Sequence, residues 1–516
     1  MVKRGVGLRF SDMPTRLPLE HLVAPVRAID ARPRAATLAR HPAAMLLLPA
    51  SPGAADWLAL PHGGAIQDVF RLKPRKAGDF FVLRVGARAE TLIAVALVGD
   101  ATGAFDRLQA LGKAARALLE TEPRTLLLWQ HGLSTEPAAE ALSAALSALQ
   151  AGAFALPAFK SAPPKRTRLA RIDIASGAKP AGLERAMASS AGNNLARWLT
   201  ALPPNRLDAA AYRRYLQDFA RRLGMRFKFY GERELRRLGA GAFLAVARGN
   251  ATRDAGIVRL MYRPRRAAAP DVCLVGKGIC FDTGGTNLKP HKSMLDMHTD
   301  MEGSAVALGS LYALHALRSR TNLDCWLAIT ENRIGPTAYQ PQEIVRAHNG
   351  TTIQVIHTDA EGRMVLADTL SLAAAAAPRA IIDYATLTGA CVHALTERYS
   401  GAFTNRLETR EAIEAAGTAS GERVWCFPMD ADFDSDLEST VADVMQCAPD
   451  GKGDHILAAR FLNRFVPKDI AWLHLDLAAG TRHGGLAHIG TDITGFGVRY
   501  TLDLLERGWP RTAPRT

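Results

Sequence analysis

The amino-acid sequence predicts an α/β protein of two domains. A small N-terminal α/β domain is expected over residues 1–165. A large C-terminal α/β domain is expected over residues 166–516, with a mostly parallel central sheet flanked by helices. Three observations lead there. From about residue 180 onward, short β-branched and apolar runs alternate with segments of helical apolar spacing, the pattern of strands joined by crossover helices. A shorter block of the same alternation fills residues 45–149. Between the blocks, Ser161-Ala162-Pro163-Pro164-Lys165-Arg166 fits neither periodicity and reads as a linker.

Residues 1–40 are rich in Arg, Pro and Ala without a clear period, as expected of an edge element or a partly disordered arm. Residues 45–48, 80–85, 91–98 and 125–129 read as strands, with helices at 105–119 and 137–149. Past the linker, a helical stretch near 182–202 stops at Pro203-Pro204, because the residue before a proline is pushed out of the helical region. Strands are then expected at 225–229, 257–262, 272–275, 325–330, 352–356, 380–384 and 472–475. Helices are expected at 207–223, 303–318, 363–377, 408–418 and 493–507. The sequence contains no internal repeat.

At 516 residues, 48% apolar and 22% charged, the chain has the composition of an ordinary soluble globular protein. No apolar run reaches the roughly 18–20 residues needed to cross a bilayer. The start, Met1-Val2-Lys3-Arg4, is basic but lacks the apolar core and small-residue cleavage site of a signal peptide. The six cysteines (Cys273, Cys280, Cys325, Cys391, Cys426, Cys447) form no CxxC pair. Buried free thiols in a reducing compartment are expected, and with them a cytoplasmic location. The net charge of +14 raises nucleic-acid binding, but the arginines run from end to end with only a modest cluster at 165–171. A basic enzyme surface is the simpler account.

Two stretches carry the chemistry. His357-Thr358-Asp359-Ala360-Glu361-Gly362-Arg363 follows the run 352–356 and leads into helical spacing. In extended backbone, residues two apart share a side, so Asp359, Glu361 and Arg363 are expected to converge at a strand's carboxyl end. The second stretch, residues 275–290, carries Lys277, Asp282 and Lys289 among glycines. Its Gly276-x-Gly278 lacks both the third glycine of a dinucleotide fingerprint and the frame of a P-loop. Asp300 opens the next helix, where a plain capping role is the bland alternative. Asp282, Asp300, Asp359 and Glu361 packed together as bare anions would raise one another's pKa, so divalent cations are the natural counter-charge. Oxygen ligands with one lysine amine suit Zn²⁺, Mn²⁺ or Mg²⁺. Two such ions about 3.5–4 Å apart can share and activate a water.

The first stretch closely resembles the Asn-Thr-Asp-Ala-Glu-Gly-Arg signature of the leucyl aminopeptidases, also called cytosol aminopeptidases. The second resembles that family's Val-Gly-Lys-Gly-x-x-Phe-Asp-Ser-Gly-Gly-x-x-x-Lys segment, and the spacings from Lys277 to Asp359 agree with the family's. The likeness covers about residues 180–510. It implies a metal-dependent exopeptidase that removes leucine-like N-terminal residues from peptides through a water activated by two metals. The resemblance gives Asp282 and Glu361 the bridging positions, Lys277 and Asp300 one metal, and Asp359 the other. It gives Lys289 the substrate carbonyl and Arg363 a bicarbonate ion that serves as general base. Met297, Thr386, Gly389 and Ala478 fall where the family lines its first side-chain pocket.

The resemblance further implies a homohexamer acting on peptides; the lack of a long apolar run predicts no membrane association. Some members of the family bind DNA, so a DNA-binding protein with secondary peptidase activity is the alternative reading. A non-peptidase metallohydrolase is the third. Two positions depart from the family pattern. His357 stands where Asn is usual; it is a tempting extra ligand at a position that is not one in the family. Glu302 stands where a small residue is usual, and either complements the helix dipole or recharges the pocket. His474-x-Asp476 lies on an apolar run and reads as packing.

Overall fold

The computed structural model describes residues 16–30, 32–87, 90–99, 102–161, 168–176, 182–265 and 269–510. The expected linker beyond Ser161, the first fifteen residues of the N-terminal arm and the basic cluster up to residue 167 lie outside the described residues.

The first sheet contains β1 (Val26–Ile29), β2 (Ala43–Pro49), β3 (Phe80–Val85), β4 (Thr91–Val98), β5 (Thr125–Gln130) and β6 (Arg171–Ala175), in the order β1-β6-β5-β2-β4-β3. All neighbours are parallel except β3 and β4. Successive side chains of the central strands enter different cores. Leu126 and Leu128 pack with Met45 and Leu47, whereas Leu127 and Trp129 pack with Leu46 and Leu48. Both faces are therefore covered, which is why these strands read as unbroken apolar runs. The edge element expected before residue 40 is β1. β6 lies past residue 165, so this sheet draws its second strand in spatial order from beyond the expected linker.

The large sheet has eight strands: β7 (Arg226–Gly231), β8 (Gly256–Tyr262), β9 (Val272–Asp282), β10 (Leu323–Asn332), β13 (Ala380–Ala385), β14 (Ser400–Thr404), β15 (Val424–Cys426) and β17 (Ala471–Asp476). Their order is β15-β14-β17-β13-β9-β10-β8-β7. The central four, β17, β13, β9 and β10, are mutually parallel. Antiparallel pairings occur only toward the edges. Ile382, Leu274 and Leu473 face a core shared with the helices Leu183–Thr200 and Glu302–Ala316. Ile381, Cys273 and Trp472 face a second core under the helix Glu361–Ala374. The helix Leu183–Thr200 joins the two sheets, placing Leu183 and Ala186 in the first sheet's core and Leu195 and Leu199 in the large one's.

One strand falls elsewhere than expected. The run 352–356 is a short strand, β12 (Thr352–Gln354), in a small separate sheet between β11 (Ile344–Arg346) and β16 (Val444–Met445). It is not part of the central sheet. All six cysteines are buried and free, as the sequence indicated. None of the described helices is long and apolar enough to cross a membrane.

Candidate metal centre

Lys277 and Asp282 stand five residues apart on β9, where strict alternation would send them to opposite faces. A β-bulge corrects the parity. Ile279 pairs with Thr330 and Asp282 with Asn332, so three steps along β9 match two along β10. Lys277 Nζ consequently lies 2.7 Å from Asp300 Oδ1 and 2.9 Å from Glu361 Oε1. Asp282 Oδ2 lies 3.0 Å from Lys289 Nζ, which also sits 2.6 Å from Asp359 Oδ1. A Cβ on Gly276 would stand 2.4 Å from the Ser304 Cα, so glycine here lets the helix Glu302–Ala316 lie against β9. That approach brings Asp300 to the site. Asp300 does not cap the helix: the N-cap is Met301, and no side chain bonds there. Its carboxylate instead accepts from the Thr386 hydroxyl at 2.7 Å.

The heptad meets this cluster through a turn rather than in extended backbone. Ala360 N–H donates to His357 O at 3.0 Å, and the helix Glu361–Ala374 starts at once. Thr358 pins the turn to the upstream loop, its hydroxyl donating to Gly284 O at 2.6 Å and its N–H to Asn287 Oδ1 at 2.9 Å. Asp282, Asp359 and Glu361 each present a carboxylate oxygen within 4.8 Å of the others. Two uncharged residues that the sequence did not mark hold the frame. Asn332 Nδ2 donates to Asp282 Oδ1 at 2.8 Å and to Thr358 O at 3.0 Å, while the Tyr339 hydroxyl donates to Thr358 O at 2.7 Å. Their only sequence signal is that β10 ends at Asn332, beside the ligand-bearing end of β9.

Arg363 makes its hydrogen bonds with groups other than Asp359 and Glu361, although the Glu361 charge still acts on it. Because the helix has begun, residues 361 and 363 point about 200° apart around its axis. The buried guanidinium instead pairs with Asp454 Oδ2 at 2.7 Å through Nη2 and donates to Gln446 O at 3.3 Å through Nη1. Burial works against its charge, but Asp454 more than offsets this and holds its pKa above the ordinary value.

Four carboxylates, Asp282, Asp300, Asp359 and Glu361, face two ammonium groups, Lys277 and Lys289, leaving two negative charges in excess (four minus two). The strain is visible in their acidity. Burial, with repulsion from Glu361 and Asp282, pushes Asp300 up to about 8 despite Lys277. Burial, with repulsion from Asp282 and Glu361, pushes Asp359 up to about 7. Glu361 is raised by burial and by Asp282. Burial alone would lower Lys277, yet Asp300, Glu361 and Asp282 win and raise it; Lys289 behaves alike. Asp300 Oδ2 is buried without a hydrogen-bond partner. A surplus of anionic oxygen and an orphaned carboxylate oxygen are what divalent cations would satisfy, so the residues fit the metals.

Of the pocket candidates, Thr386 joins the cluster through its hydroxyl on Asp300 and its carbonyl, which accepts from Lys277 Nζ at 2.9 Å. Met297 sits in the single turn Met297–Thr299 just before Asp300, Gly389 opens the helix Gly389–Leu395, and Ala478 follows β17. None of these three bonds the carboxylates. His357 is exposed and lies outside the carboxylate group; its Nδ1 accepts from Asp359 N–H at 3.3 Å. Glu302 is wholly buried, and burial pushes it up to about 8 against the opposing effect of the Gly495 backbone. His474 is buried on β17 against Asp383 at 2.6 Å, the packing role expected.

The model of the cytosol aminopeptidase family, catalytic domain, matches residues 194–502. The chain belongs to this family. It is accordingly a metallo-aminopeptidase, a metal-dependent enzyme that removes residues from the N-termini of peptides. A probable cytosol aminopeptidase of Parasynechococcus marenigrum is 36% identical over 445 residues, covering 84% of this chain and 89% of the relative. One from Methylobacterium radiotolerans is 36% identical over 434 residues, covering 82% and 84%. Among solved structures, a mutant of tomato leucine aminopeptidase superposes with a TM-score of 0.79 at 27% identity, over 94% of this chain and 96% of that one. The bottromycin maturation enzyme BotP, in complex with manganese, gives 0.77 at 29% identity over 90% and 98%.

Proposed function

We propose that this aminopeptidase works with two divalent metals, Zn²⁺ or Mn²⁺ and with Mg²⁺ as the weaker option, held by Lys277, Asp282, Asp300, Asp359 and Glu361. The observation that carries the reading is the surplus of buried carboxylate at one point: three acids within 4.8 Å and a fourth joined to them by Lys277. The manganese complex of a structural relative supports it. Bound there, the metals would lower the pKa of a water and polarise the scissile carbonyl. Lys289 is the fixed cation best placed to stabilise charge developing on that carbonyl oxygen, because Asp282 and Asp359 keep it both protonated and oriented. Asn332 keeps Asp282 and the Thr358 carbonyl in register, so the acids do not have to reorganise during turnover. Thr386 anchors Asp300 and Lys277 together.

Met297, Thr386, Gly389 and Ala478 would receive the first side chain, and their small or apolar character favours leucine-like residues. We further propose a cytoplasmic homohexamer; light scattering showing a fully active monomer would remove that part. The functional test is hydrolysis of leucine p-nitroanilide, set against alanine, lysine and glutamate analogues and an N-acetylated control. A leucine-like preference and complete refusal of the blocked substrate are expected. Equal cleavage of the blocked substrate would contradict an exopeptidase.

A further inference from the structure

Glu302 is a buried acid that the metal chemistry does not use. It is the first residue of the helix Glu302–Ala316, and its side chain is fully enclosed. An acid in the first turn of a helix is favoured by the dipole, but an exposed carboxylate would gain that benefit without losing its water. Enclosing a carboxyl costs free energy that an alanine would not cost, so the helix start alone does not account for the residue.

The carboxyl lies against the chain that leaves β17. A Cβ on Gly480 would stand 2.5 Å from Glu302 Oε2 and 3.1 Å from Leu477 O, so the chain has no side chain at 480 where it has a large one at 302. The Gly495 backbone acts on the same carboxyl. The segments of Gly480 and Gly495 meet around it, because Thr494 donates to Gly480 O through both its N–H and its hydroxyl, each at 2.8 Å. Ala478, assigned above to the first side-chain pocket, stands within this loop just before Gly480. The next residue of the helix reaches a second wall. A Cβ on Gly303 would stand 2.1 Å from Tyr384 O and 3.0 Å from Ala385 Cα, directly before Thr386. Leu477 N–H donates to Ala385 O at 2.8 Å and ties the two walls together. One helix start therefore backs the chain segments that carry Ala478 and Thr386.

We propose that Glu302 determines the depth of the first side-chain pocket: its carboxyl fills the space behind the Ala478 loop, keeps that wall from sinking, and so limits the pocket to leucine-sized side chains. It acts through the loop and does not touch substrate, which makes it a positioning residue. The substrate class that fits is a peptide whose N-terminal side chain is aliphatic and of moderate volume; a phenylalanine or tryptophan ring is refused for lack of depth. The proposal rests on the aminopeptidase reading above and on the placement of Ala478 in the pocket.

The test compares the p-nitroanilides of leucine and phenylalanine on the metal-loaded full chain, together with calorimetric binding of free L-leucine and L-phenylalanine. Wild type is expected to favour leucine in both. Glu302→Ala should raise the phenylalanine-to-leucine ratio of kcat/KM about tenfold, mostly through KM, with bound metal unchanged. Glu302→Gln, which keeps the volume, should hold the wild-type ratio within about twofold. Adding Gly480→Ala to Glu302→Ala refills the space from the other side and should bring the ratio back toward wild type. A loss of stability alone would lower both substrates alike and leave the ratio unmoved. The proposal is overturned if wild type takes both substrates equally, if Glu302→Ala leaves the ratio unmoved, or if Glu302→Gln shifts it as far as Glu302→Ala does. Should Glu302→Ala not fold, Glu302→Asp, one methylene shorter, is expected to shift the ratio the same way by a smaller factor, and an unmoved ratio there overturns the proposal equally. Absence of any peptidase activity in wild type would instead sink the aminopeptidase reading, and the binding of the free amino acids would still report on the pocket.

Discussion

The first sheet and the metal centre each bury acids, and they balance them in opposite ways. Asp173 on β6 is completely enclosed and is met by Arg27 at 2.8 and 2.9 Å, Arg171 at 2.7 Å and His41 at 2.9 Å. Burial opposes its charge, yet those partners hold its pKa down at about 2. At the metal centre burial acts the same way, but four carboxylates share two lysines, and Asp300 and Asp359 rise to about 8 and about 7. Burial is common to both clusters. What separates them is whether the chain supplies enough positive charge itself. Asp173 is satisfied from within and holds β6 to β1 and to the His41 turn, whereas the carboxylate cluster is two positive charges short, which the metals proposed above would supply.

That contrast gives a ranked set of outcomes. The largest is on activity: Asp359→Ala or Glu361→Ala should reduce kcat/KM with leucine p-nitroanilide by about 10³-fold or more, since each removes a charge on which the metals depend. Their circular dichroism should remain that of wild type. Next, Asp173→Ala should cost about 1.5–3 kcal/mol in denaturant unfolding, because Arg27, Arg171 and His41 lose a buried hydrogen-bond partner. Its kcat/KM per folded molecule should not change. By contrast, Asp300→Asn in metal-stripped protein should leave the unfolding midpoint unchanged or raise it, since it relieves repulsion; a loss like that of Asp173→Ala would erase the distinction drawn above. Stripping the metals from wild type should lower the melting temperature, and returning them at about 100 times Kd should recover about 2.7 kcal/mol for each site filled.

The smallest effect concerns acid. Asp173 has a folded pKa below its unfolded value of about 3.9, so its contribution is intact above about pH 4 and is lost as pH falls through about 2. Melting curves of wild type and Asp173→Asn should therefore converge at the acid end and separate above about pH 4. Convergence in the neutral range instead would contradict the assignment.

Much of this was legible beforehand, for physical reasons. The strands of both sheets read correctly where they are apolar on both faces, as in β2, β4 and β13. β14 and β15 escaped because Ser400–Thr404 and Val424–Cys426 are short and carry little apolar pattern. The acids and lysines of the centre could be read because their residue types state their chemistry. Asn332 and Tyr339 could not, because a neutral amide or phenol gains its meaning only from what it touches. Strand alternation did not foresee the bonding of Arg363, because the helix starts at Glu361 and the guanidinium meets Asp454. Asp454 lies 91 residues further along, and no local pattern could have paired them.

The central claim is that this acid surplus is made good by two metal ions. It is tested most directly by adding Mn²⁺ or Zn²⁺ stepwise to metal-stripped protein and following leucine p-nitroanilide hydrolysis against equivalents bound. The account predicts negligible activity without metal and saturation at about two equivalents per chain. Full activity in the stripped protein, or saturation at one equivalent with Asp359→Ala behaving as wild type, would contradict it.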